Sequence, residues 1–148
     1  MTLNEALIKQ NFIVKILIKN EKCELSKQLK VKIMNMRIEL TKIKNKFDSD
    51  CQEMIVKLKP EGFEDLITKE NKTPEETEEF GVIIDKLNKE YESFLAEKGK
   101  EEVTFDRVFT QSEYEQIIDV NAGNDVTING TKLPATDFLE VIYSLFVE

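Results

Sequence analysis

The sequence contains no histidine and no tryptophan among its 148 residues. Without histidine the chain lacks the usual general base at neutral pH and the commonest metal ligand. No serine or cysteine has an imidazole to activate it, and there is neither a glycine-rich phosphate loop nor a paired-cysteine zinc motif. These absences argue against an enzyme, a bound cofactor and a metal centre.

Cysteine and long apolar runs are also scarce. Cys23 and Cys51 lie far apart in the sequence, so we expect two free thiols in a reducing compartment. No apolar run approaches the roughly 18 residues of a membrane-spanning helix. Asn4, Glu5 and Lys9 interrupt the N-terminal region where a signal peptide would be apolar. We therefore expect no membrane segment, and a location in the cytoplasm or, for a component made there, in a virion.

Two acidic features superficially suggest metal binding. The segment 119–125 looks like part of a calcium loop, but Asn124 and Gly130 stand where an EF-hand needs glycine and a bidentate glutamate. The glutamates of the third predicted helix lack the Glu-x-x-His partners of carboxylate-bridged metal sites. We interpret the first as a turn and the second as a solvated helix face.

Charge is unevenly distributed along the chain. Residues 1–60 hold 13 basic and 7 acidic side chains, and residues 61–148 hold 8 basic and 22 acidic ones, for a net charge of −8. Either the basic half packs against the acidic half, or an exposed acidic face steers a basic partner. The pI near 4.8 argues against direct nucleic-acid binding.

A long amphipathic helix is the strongest pattern in the sequence. Apolar residues spaced by threes and fours predict a helix from about Ser26 to Lys59, ended by Pro60. These residues are Leu29, Ile33, Met36, Leu40, Ile43, Phe47, Cys51, Met54 and Leu58. At about 1.5 Å per residue the helix is roughly 50 Å long.

Two further helices flank it. A helix over residues 2–19 begins with a capping box, Thr2 with Glu5, although the β-branched run 12–18 could instead form a strand. Thr73, Pro74 and Glu76 predict a sharp helix start, with an apolar stripe from Phe80 to Leu95 and an end at Gly99. We expect this helix and the long one to pack as an antiparallel hairpin.

The C-terminal third has a different character. It predicts a strand within 103–109, a short helix over 112–118, and a β-hairpin turning at Asn129-Gly130. A last helix runs from about Thr136 to Phe146 and is almost wholly apolar, so it is either buried or pressed against a partner. The predicted fold is mainly α with a small β element (α+β), in one domain over 1–148. Its helical hairpin portion spans about 1–99 and its α/β portion about 100–148.

The order of these elements resembles a group of small uncharacterised proteins of tailed phages of low-GC bacteria. The matching segments are Leu29-Lys30-Val31-Lys32-Ile33 and Leu133-Pro134-Ala135-Thr136-Asp137-Phe138-Leu139. The resemblance covers most of the chain as a pattern and an order of elements. It implies a phage context and no particular activity.

The leading hypothesis is a non-enzymatic, phage-encoded protein–protein interaction protein that serves as a virion or assembly component, with homo-oligomers expected. Its partner is then a phage structural protein. The alternative is an anti-CRISPR-like inhibitor of a host nucleic-acid enzyme or defence complex that acts through an acidic surface. A deep pocket containing Lys86 and Glu90 would instead indicate an enzyme. The candidate partner-binding residues are Glu75, Glu76, Glu78, Glu79, Phe138, Ile142, Leu145 and Phe146.

Overall fold

The computed structural model describes Met1–Glu148 and is built from helices and one small antiparallel sheet. The elements in chain order are α1 (Leu3–Ile13), α2 (Lys27–Leu58), α3 (Phe63–Thr68), α4 (Pro74–Lys98), α5 (Gln111–Asn121), β1 (Val126–Ile128), β2 (Thr131–Leu133) and α6 (Ala135–Phe146). The predicted fold class, mainly α with a small β element, is confirmed. None of the helices combines the length and apolar character needed to cross a lipid bilayer.

The chain forms two compact units. Unit 1 comprises residues 1–44 and 102–148, and unit 2 comprises residues 45–101. Residues 1–44 lie in the same unit as the C-terminal portion of the chain and not with the hairpin. The reason is that α1 and the first half of α2 contribute to the same apolar core as α5 and α6.

The core of unit 1 contains the first half of the long apolar stripe. Ile33, Met36 and Leu40 of α2 have no solvent-exposed surface. Residues of α5 and α6 lie in the same cluster, among them Ile117 and Phe138, which are equally inaccessible. Burial of this apolar surface is the main source of stability for such a unit.

Helix α1 is shorter than predicted. Its capping box is present, since the Thr2 hydroxyl accepts from the Glu5 amide at 3.2 Å and the Glu5 carboxylate accepts from the Thr2 amide at 2.8 Å. The helix ends at Ile13, because the following chain turns back on itself and the Leu25 amide donates to the Ile18 carbonyl. The run 12–18 therefore completes neither the predicted helix nor the alternative strand.

A buried asparagine holds the turn that follows α1. Asn121, only 2% exposed, accepts from the Leu17 amide at 2.8 Å and donates to the Leu17 carbonyl at 3.2 Å. It also donates to the Ile117 carbonyl at 2.9 Å. These bonds satisfy backbone groups that would otherwise be costly to bury, and they join segments 104 residues apart.

The C-terminal elements follow the sequence closely except at one strand. Strands β1 and β2 pair antiparallel, and the turn between them has positive φ at Asn129 (49°) and Gly130 (78°), as a type I′ turn requires. The strand predicted within 103–109 is wrong. Phe109 makes one isolated bridge to Val147, and Phe105 and Phe109 instead serve as buried anchors of an irregular segment.

Truncation of a core residue of α2 tests this packing. Leu40→Ala is expected to lower the free energy of unfolding by about 2–5 kcal/mol, because Leu40 is fully buried and its removal leaves a cavity. Ile38→Ala is the matched control, since Ile38 is half-exposed on the same helix and its truncation should cost within about 0.5 kcal/mol. Urea unfolding of dilute protein, followed by circular dichroism, gives both values. Equal losses would contradict the placement of Leu40.

Candidate functional site

Unit 2 is a helical hairpin made by α4 and the second half of α2. The α4 start is the predicted capping box, with the Thr73 hydroxyl accepting from the Glu76 amide at 3.1 Å. Lys98 at the end of α4 pairs with Asp50, about two turns before the end of α2, at 2.7 Å. Leu58 at the end of α2 lies instead beside Ile84 and Leu87. The two segments are therefore antiparallel, and the predicted hairpin exists from residue 45 onward.

This hairpin has almost no core of its own. Cys51 of α2 and Phe63 of α3 have buried side chains, whereas α4 has none over its 25 residues. The predicted stripe of α4, from Phe80 to Leu95, is only half-buried along its length. Val56 and Val82 are still more exposed, at 69% and 64%. A two-helix hairpin covers each stripe from one side only, and the short helix α3 adds cover at one end, where Phe63 stacks on Phe80.

The uncovered apolar surface forms a groove between the helices. Six apolar residues line it, namely Ile55, Leu58, Phe63, Ile84, Leu87 and Tyr91, together with Lys59 and Asn88. We call it the hairpin groove, and its volume is about 220 Å³. Lys59 is paired with Glu64 at 2.8 Å. The groove is therefore an apolar surface with little uncompensated charge of its own.

Polar contacts at the base of the hairpin fix the register of the two helices. The hydrogen bond to Lys98 lowers the pKa of Asp50, and the same bond raises the pKa of Lys98. The hydrogen bond between Tyr91 and Cys51 raises the pKa of the Tyr91 phenol. Each of these groups is held by a neighbour within the hairpin, so their role is structural.

The acidic start of α4 presents three carboxylates to solvent. Glu75, Glu78 and Glu79 are exposed and form no ion pair within the chain. Glu76 differs, because its carboxylate accepts from the Thr73 amide and pairs with Lys69, and the bond to Lys69 lowers its pKa. We therefore treat Glu76 as a helix cap and keep the other three as the acidic cluster.

The final helix belongs to the core. Phe138, Ile142 and Phe146 have no exposed surface, and Leu145 is partly buried against the same cluster. Of the two alternatives that the sequence left open for α6, burial within the chain is the one observed. A side chain without exposed surface cannot contact a partner, so Phe138, Ile142 and Phe146 are not available to one in this fold, whereas Leu145 is partly exposed.

A second apolar surface, not singled out from the sequence, lies on the first half of α2. Val31, Met34 and Ile38 are 51%, 46% and 50% exposed. Lys27 and Lys42 lie four positions before Val31 and four after Ile38, and both are exposed and form no ion pair. We call these five residues the basic stripe. Their helical spacing was visible in the sequence but was masked by the stronger core stripe on the same helix.

The structure has further concave surfaces outside the hairpin groove. A cleft of about 310 Å³ between α5 and α6 is floored by Tyr114. Its hydroxyl donates to the Leu139 carbonyl at 2.7 Å, and burial raises its pKa. Lys86 and Glu90 are a surface pair 4.0 Å apart, one turn along α4. No three carboxylates or thiols converge as metal ligands would.

Comparison with protein-family models, with curated proteins and with solved structures gives no match for this chain.

Acidification tests the contacts that hold the hairpin. Because Lys98 depresses the pKa of Asp50, this pair stabilises the folded hairpin above the unfolded pKa of about 3.9. That stability is lost as the pH falls through the lower folded value. Asp50→Asn should therefore destabilise the protein at about pH 7, and the difference from wild type should shrink towards about pH 3. Thermal melts at both pH values measure it, and a constant difference would contradict the assignment.

Proposed function

We propose that the protein is a non-enzymatic protein–protein interaction protein whose contact surface is the hairpin of unit 2. The observation that supports this is the absence of a buried side chain on α4, combined with the apolar hairpin groove. Contiguous exposed apolar surface of this kind marks interaction sites in soluble chains. A third helix laid into the groove would complete a small helical bundle.

A non-enzymatic role agrees with the chemistry available in the chain. There is no histidine, and the titratable groups with shifted pKa in unit 2 are held in ion pairs or in the Tyr91–Cys51 hydrogen bond. The hairpin groove is lined by apolar residues with one lysine that is already paired. Such a surface suits the apolar face of a helix better than a small polar substrate.

Within this class we propose a virion or assembly component of a tailed phage. The phage context comes from the sequence resemblance alone. The assembly role follows from an incomplete bundle that requires a neighbouring subunit to cover it.

A second candidate function is supported by the acidic cluster. Glu75, Glu78 and Glu79 form no ion pair within the chain, and unit 2 carries 16 acidic and 9 basic side chains, a net charge of −7. A concentrated negative face could compete for the basic groove of a host nucleic-acid enzyme. This function would use the outer surface of α4 and not the hairpin groove.

Tagged protein captured from the producing cell, with partners quantified by mass spectrometry, tests both functions. Asn88→Arg places a long charged side chain at an exposed position of the groove, and Ser93→Arg makes the same charge change elsewhere on α4. We expect Asn88→Arg to lose at least tenfold of a stoichiometric protein partner that Ser93→Arg retains. A second copy of the chain, detected by a different tag, counts as such a partner.

Neutralising the acidic cluster separates the second function from the first. The variant Glu75→Gln, Glu78→Gln, Glu79→Gln retains the Glu76 cap and should leave a groove-dependent partner bound. The inhibitor function replaces the assembly function if a nucleic-acid enzyme is lost from this variant and from no other. The remaining binding of that enzyme should weaken further as the salt concentration rises. Identical partner sets for Asn88→Arg and Ser93→Arg would reject the groove as the contact surface.

A further inference from the structure

We infer that the occupant of the hairpin groove is a second copy of this chain, which inserts its basic stripe. This inference depends on the proposed function, because it takes the groove to be a protein-binding surface and names what fills it. The stripe and the groove lie in different units of the fold. Each copy therefore presents one stripe and one groove.

The basic stripe has the geometry of a helix that docks through one face. Val31, Met34 and Ile38 follow one another at intervals of three and four residues, so they share one side of α2. Their side chains are about half-exposed, whereas Ile33, Met36 and Leu40 of the same helix are fully buried in unit 1. The helix is thus held by its own core while a second apolar face remains available. This spacing of apolar anchors is the one that helix-in-groove recognition uses.

The groove offers a matching surface. Ile84, Leu87 and Tyr91 line it from α4, and Ile55 and Leu58 line it from α2. These residues are half-buried, so a third helix would remove further apolar area from water. Asn88 is the exposed polar residue on the α4 side of the groove. The basic stripe, with three apolar side chains between two lysines, therefore complements the hairpin groove, which is an apolar surface on an acidic unit.

Charge selects this occupant over a second hairpin. Unit 2 has a net charge of −7, so pairing two hairpin grooves face to face brings like charges together. Residues 27–44 of α2 hold six basic side chains and one acidic one, a net charge of +5. Lys27 and Lys42 at the two ends of the stripe form no ion pair within the chain. Docking stripe into groove therefore brings opposite charges together.

The symmetry of the assembly follows from this pairing. Two different surfaces meet, so two copies can pair reciprocally, each inserting its stripe into the other's groove, or each copy can bind a further neighbour. The first arrangement is a closed dimer, and the second produces closed rings or open filaments. The association should weaken with salt, because it depends partly on charges at an exposed rim.

Complementation between two defective variants provides the test. The stripe variant is Val31→Glu with Ile38→Glu, and its control is Ile8→Glu, a similarly exposed apolar residue of α1. The groove variant is Asn88→Arg, with Ser93→Arg as its control. All the changes lie at exposed helix positions, and circular dichroism verifies that each variant is folded. A second stripe variant, Lys27→Glu with Lys42→Glu, keeps the apolar anchors and reverses only the charge.

Sedimentation velocity of the purified proteins, at low salt and over a range of concentration, gives the readout. Wild type and both controls should form dimers or larger species, and each variant alone should remain monomeric. An equimolar mixture of the stripe variant with the groove variant should form a dimer and nothing larger, since one intact stripe meets one intact groove. Raising the salt should dissociate the wild-type species.

Three results would overturn the inference: a monomeric wild type at every concentration, equal loss of association in variants and controls, or no dimer in the mixture. The first of these leaves the proposed function separately testable. If wild type is monomeric but cell capture still recovers a different protein in a groove-dependent manner, the groove is a contact surface and only its occupant was misidentified. If capture also shows no groove dependence, the proposed function fails as well.

Discussion

The apolar stripe of α2 is the constraint on which the rest of the structure depends. In unit 1 its first half, from Leu29 to Leu40, is fully buried among residues of α5 and α6. In unit 2 its second half meets α4, where Cys51 alone among the α2 residues is buried. The same regular spacing of apolar residues along α2 is therefore fully buried in unit 1 and only partly buried in unit 2. The difference lies in the number of neighbouring elements, not in the helix itself.

Partial cover changes what the hairpin can do. A helix whose side chains are all at least partly exposed draws less stability from packing, and α4 is held by its cap, by the Asp50–Lys98 pair and by contacts such as the stacking of Phe63 on Phe80. Apolar area that remains in contact with water contributes a favourable free energy of binding when a partner buries it. The same α2 helix carries the basic stripe in unit 1. We therefore propose that binding takes place at surfaces that the fold itself leaves incomplete.

Local signals in the sequence predicted the helices and strands well. The burial of individual side chains by distant elements was harder to predict. The bounds of α2 and α4 followed from spacing, from Pro60 and from the cap at Thr73, all of which act within a few residues. The end of α1 at Ile13 depends on contacts such as the Asn121 bonds, which join segments about a hundred residues apart. Burial of Phe138 and exposure of Val31 likewise depend on which elements meet, and periodicity alone does not specify that. Of the candidate residues, the exposed glutamates could be recognised from the sequence, whereas the groove required the structure.

Amide hydrogen exchange of the wild-type protein at low and high concentration tests the central claim most directly, because it reports on α4 residue by residue. We expect α4 to exchange faster than α5 and α6 in dilute protein and to gain protection as concentration rises. Exchange in α5 and α6 should not change, since their side chains already lie in a complete core. Exchange in α4 that is as slow as in α6 at low concentration, or that does not respond to concentration, would contradict it.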